Sequence, residues 1–178
     1  LPRTVLALAL GLAAACSPAR AAPRASEFEP ARAWAHLEHI VALGERPAGS
    51  AELEELRRYL EQELTTAGLA PEREAFRAAT PCGEIEMANV FADLPAADGA
   101  RTPLLVLATH IDTKAGLPFP FVGANDGGSG TAVLLELARV LAARARRVEV
   151  RFLFLDGEEA MRREWRDPDN CYGSRQHV

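Results

Sequence analysis

A continuous apolar run, residues 104–108, and a second expected buried strand, residues 148–155, bracket a stretch from Thr131 to Ala145 in which Val133, Leu134, Leu137, Val140 and Leu141 recur at helical spacing. A strand, a crossover helix and a second strand form a βαβ unit, and that unit needs a parallel pair. The unbroken apolar run at 104–108 suits a strand covered on both faces. A largely parallel sheet clad in helices is therefore expected, with functional groups beyond the carboxyl ends of its strands.

Upstream, Trp34, Leu37, Ile40 and Val41 form the apolar positions of a predicted helix over residues 30–43, stopped by Gly44-Glu45-Arg46-Pro47. Ser50 is placed to cap a second helix carrying the stripe Leu53, Leu56, Leu60 and Leu64, which Gly68 ends. Residues 72–78 and 84–94 read as hairpin partners around Pro81-Cys82-Gly83.

The chain opens differently. Arg3, an uncharged Leu/Ala-rich run over residues 5–15 and small residues up to Ala21 have the anatomy of a secretory leader, and the run is too short to span a bilayer. We expect a leader over residues 1–21, a linker over 22–29 and a catalytic domain from residue 30 to 178, in an exported protein. Cys16 resembles a lipid-attachment cysteine, and such an anchor is the one membrane association expected. Export would allow Cys82 and Cys171 to pair, and their spacing resembles no metal knuckle. Acidic and basic residues are interleaved at a net charge of −5, without the basic stripe of a nucleic-acid surface.

The residues after the two expected strands carry chemistry. Thr109-His110-Ile111-Asp112 follows the first and Asp156-Gly157-Glu158-Glu159 the second. Gly123-Ala124-Asn125-Asp126-Gly127-Gly128-Ser129-Gly130 precedes the crossover helix. Each cluster alone has an ordinary explanation: a local His–Asp hydrogen bond, a helix cap at Asp126, solvated loop acids. Together they bring carboxylates to one sheet edge, which is costly unless a cation compensates them. Zinc accepts imidazole nitrogen and carboxylate oxygen and would supply that charge.

These motifs, in this order, resemble the M28 metallopeptidase family, which includes zinc aminopeptidases and glutaminyl cyclases. The likeness runs from about Trp34 to the end, and residues 43–50 also look like a segment of that family. It implies an α/β fold, a three-layer α/β/α sandwich around a mixed, mostly parallel sheet. Trp165 and the stretch Asn170-Cys171-Tyr172-Gly173-Ser174-Arg175 are similar to the cyclase branch, although the tryptophan stands one residue late and Gln176 replaces a common histidine.

In that branch Asp126 and Glu159 would bind a single zinc and Glu158 would be the general acid/base. Trp165 would wall the pocket, and the substrates would be N-terminal glutamines of peptides or proteins, converted to pyroglutamate with loss of ammonia. In the aminopeptidase alternative two metals would share Asp126, and His110 would hold the second. Both branches need a further histidine downstream of residue 178, so residues 30–178 are expected to be the first part of the catalytic domain. A segment without that ligand could be inactive and act only as a binding module. His36, His39 and His177 are expected to be structural, and Ser174 to cap a new helix.

Overall fold

The computed structural model describes residues 27–97, 99 and 103–178. The expected leader, Cys16 and residues 22–26 of the linker lie outside them.

Helix α1 (Pro30–Ala42) carries proline in its first turn, where a helix has no use for the missing N–H. Helix α2 (Ala51–Thr66) is capped as its sequence predicts, with Ser50 Oγ accepting from Leu53 N at 3.1 Å. Leu53, Leu56, Leu60 and Leu64 are fully buried, and each such burial stabilises the fold by about 1.5–3 kcal/mol. The hairpin follows as β1 (Pro71–Thr80) and β2 (Gly83–Leu94), paired antiparallel. Then come β3 (Leu104–His110), α3 (Ser129–Ala142), β4 (Glu149–Leu155) and the short α4 (Tyr172–His177).

The sheet runs β1-β2-β4-β3 and is mixed. Strands β3 and β4 are parallel and joined through α3, as a βαβ unit requires, while β2 pairs antiparallel with β4. Val90, Ala92, Val150, Phe152 and Phe154 share the core with the α2 leucines and with Ala132, Leu135 and Ala138 of α3. Phe91 and Arg151 project from the opposite face, where the His177 ring of α4 meets both. Helices thus flank both faces.

Three expectations change in detail. Strand β3 is not covered on both faces: Leu104, Leu105 and Val106 are 43%, 47% and 43% exposed. It is the edge strand of the described sheet, and of its apolar run only Leu107 packs against the core. Trp34 and Val133 are also exposed, because α1 meets the core through the stripe Ala33, Leu37 and Ile40, one position away from Trp34. Ser174 lies inside α4, whose N-cap is Cys171 in the left-handed region. Both described cysteines, Cys82 and Cys171, are free thiols.

Candidate metal centre

Because β3 and β4 are parallel, His110 and Leu155 end them side by side, and the residues that follow share one rim. Asp126 reaches that rim from a π-helical turn, Ala124–Gly128, closed by Gly128 N donating to Gly123 O at 3.0 Å. Within the turn Asp126 has φ −90° and ψ 113°, so its backbone breaks the helical path. It is not the cap of α3; that position is Gly128. Two glycines permit the turn. Gly123 has φ 56°, and a Cβ there would stand 2.6 Å from Asp126 O. Gly127 has φ 77°, and its Cβ would lie 3.1 Å from His110 Cε1.

His110, Asp126 and Glu159 offer ligand atoms all within 4.8 Å of one another. His110 Nε2 lies 3.0 Å from Asp126 Oδ1, and its Nδ1 is 3.2 Å from the Asp112 carbonyl and 3.6 Å from Asp112 Oδ1. The Asp112 carboxylate beside it, with the charge of Asp126, pushes His110 up to about 9 against the opposing effect of burial. Burial first, and then the charges of Asp112 and Asp126, push the Glu159 carboxyl above its usual range. That crowding of negative charge is what a cation would relieve. One imidazole and two carboxylates form a donor set that suits zinc and leaves a position open for a further ligand or substrate.

Glu158 and Trp165 line the same cavity of about 470 Å³ as these three side chains. Glu158 is held closely: its N–H donates to Asp112 Oδ1 at 3.1 Å, its carbonyl accepts from Cys171 N at 3.0 Å, and its Oε1 accepts from Ser174 N at 2.7 Å. Its Oε2 has no protein partner among the described residues. Trp165 is 58% exposed.

Not every residue of the sequence clusters joins the rim. Asp112 is fully buried and spends both oxygens on main chain, accepting from Glu158 N and from Glu159 N at 2.9 Å. Asp156 points into the core, where Arg57 Nη1 donates to its Oδ2 at 2.7 Å. The remaining histidines are elsewhere: His36 bonds Tyr59, His39 stacks on Tyr59, and His177 bonds Glu74.

Sequence reasoning missed the supports. Arg46, which in the sequence reads as part of a helix stop and of the family-like segment 43–50, is fully buried and donates through Nη1 to the carbonyls of Ile40, Gly44 and Val122. Its backbone exchanges hydrogen bonds with Thr113, so the α1–α2 loop braces the segment after His110. Lys114 donates from Nζ to the carbonyls of Ala160 and Arg162. Neither contact has a signature in local spacing.

Residues 89–178 match the model of Peptidase family M28. A glutaminyl-peptide cyclotransferase-like protein of Mus musculus is 38% identical over 161 residues, covering 84% of this chain and 40% of that protein. A solved glutaminyl cyclase from an Acidobacteriales bacterium superposes with a TM-score of 0.77 at 32% identity, over 90% of this chain and 55% of the other. A leucine aminopeptidase precursor from Bacteroides thetaiotaomicron shares the fold, with a TM-score of 0.72 at 23% identity. The chain spans about two fifths of the length of the curated relative and about half of each solved structure.

Proposed function

The chain belongs to peptidase family M28, and from that premise we propose that it carries the metal-bearing rim of a zinc-dependent glutaminyl-peptide cyclotransferase. The observation that carries this reading is one cavity holding His110, Asp126, Glu158, Glu159 and Trp165 together. The relatives above 30% identity are named for cyclase activity, whereas the aminopeptidase likeness supports the fold alone.

Asp126 and Glu159 would hold the zinc, with His110 beside them. When bound, that ion supplies Lewis acidity toward the γ-carbonyl oxygen of an N-terminal glutamine. The chain's own part is positional and protolytic. The substrate's α-amine attacks its own γ-carbonyl carbon; a C–N bond forms, the amide C–N bond breaks, and ammonia leaves. The amine must lose a proton and the departing NH₂ must gain one. Glu158 is placed to carry it, because its Oε1 is anchored and its Oε2 is left for the substrate. Trp165 closes the cavity wall against the glutamine side chain.

Glu158→Gln should keep zinc and lose turnover by roughly 10²–10⁴-fold, as expected for loss of a positioned acid/base. The assay is ammonia release and pyroglutamyl product from Gln-peptides by the protein that contains this segment. Hydrolysis of aminoacyl anilides with no cyclisation would overturn the reading. The nearness of His110 to Asp126 favours, as a second reading, a two-metal aminopeptidase; metal content per chain separates the two. Export belongs to the same proposal and rests on residues 1–21 alone.

A further inference from the structure

The segment after Glu159 is fastened with unusual completeness. Asp112 takes the amides of Glu158 and Glu159. Two residues on, the Lys114 ammonium takes the carbonyls of Ala160 and Arg162. From the other side Asp169, 7% exposed, accepts from Met161 N and Arg162 N, both at 2.9 Å, and from the Tyr172 hydroxyl at 2.8 Å. Asp169 N then donates to Arg166 O at 2.8 Å. The backbone is therefore pinned at residue 162 and again at 166, and residues 163–165 form a short arch between two fixed feet. Trp165 rides on that arch and lines the cavity.

We propose that Lys114 and Asp169 are positioning residues that fix the two feet of this arch and so hold the Trp165 ring at the cavity wall against the substrate's N-terminal residue. Neither needs to touch substrate. Lys114 grips acceptors and Asp169 grips donors of the same turn, so the two act as opposite jaws. Lys114 also stands close enough to Glu159 for its charge to favour the ionised carboxylate there. A packed indole contributes to ground-state binding, so the effect belongs in KM rather than in the proton-transfer step.

The test uses Lys114→Met, Lys114→Arg and Asp169→Asn in the protein that contains this segment, each measured with and without Trp165→Phe, so that the difference isolates the Trp165 signal. Acrylamide quenching and emission maximum read the arch directly and do not depend on any activity. The KM arm rests on the cyclase reading, so its failure alone would fault that reading and not the jaws. Expected are stronger quenching and a red shift in Lys114→Met and Asp169→Asn, with recovery in Lys114→Arg and zinc stoichiometry unchanged. On Gln-peptides KM should rise about fivefold with kcat within about twofold, the pattern of lost uniform binding. A Trp165 signal identical to the parent in both variants, or one that changes only in proportion to a fall in Tm, would overturn the proposal.

Discussion

Asp126 and Glu159 come from the same set of sequence clusters as Asp112 and Asp156, yet the two pairs of carboxylates live in opposite surroundings. The Asp126 side chain is 52% exposed and faces a histidine and a second acid, with no guanidinium or ammonium of the described residues bonded to it. Asp112 and Asp156 are both fully buried. Asp112 is satisfied by two amides, whereas Asp156 takes Arg57 and the Ala88 amide, the latter at 2.8 Å, both on Oδ2, with its buried Oδ1 unpartnered among the described residues. The first pair lines the cavity, where a cation could reach it; the second is shut away in the core. What an acid in such a motif does is set by which donors the fold has already aimed at it.

The largest effect is expected at Arg57, whose side chain is only 7% exposed where it meets Asp156. Arg57→Met should destabilise the protein by about 3–5 kcal/mol, the usual cost of stranding one member of a buried ion pair. Denaturant melts should show the larger loss at pH 8 and a smaller one at pH 5, where Asp156 takes up a proton. Equal losses at both pH values would mean that Asp156 does not titrate in the folded protein.

A smaller effect is expected at Asp112. Asp112→Asn replaces one acceptor with a donor facing an amide, loosening Glu158, Glu159 and His110 without removing a proposed ligand. Zinc affinity measured by chelator competition should fall about 10–100-fold, as for other outer-shell partners of metal ligands. Unchanged affinity would show that the amide clip does not orient the rim.

A third effect separates the two pairs through pH. Burial pushes Asp156 up to about 7, whereas an unfolded aspartate titrates near 3.9. The folded state therefore holds this proton more tightly. Its contribution to stability is complete below about pH 4 and is lost as pH rises through about 7. Asp156→Asn should flatten that part of the Tm–pH curve, and a variant with the parent's slope would assign the dependence to another group.

Much of this was legible because periodicity and motif order are local. The α2 stripe, the Ser50 cap, the hairpin and the βαβ unit each follow from spacing, and parallel strands bring His110 and Glu159 to one rim. The rest depends on contacts distant in sequence. That Asp156 turns inward is decided by Arg57, 99 residues away. Arg46 looks like part of a helix stop until Val122 and Thr113 close around it. The exposure of β3 follows from its place at the sheet edge, and an apolar run alone does not encode that place.

Asp126 and Glu159 face the cavity, whereas Asp156 is closed off in the core. Zinc titration of the purified protein, followed calorimetrically with Asp126→Ala, Glu159→Ala and Asp156→Asn run beside the parent, tests this contrast most directly. We predict stoichiometric binding in the parent and in Asp156→Asn, and its loss in the other two. Zinc bound at full stoichiometry and parental affinity by Asp126→Ala and Glu159→Ala would contradict the account.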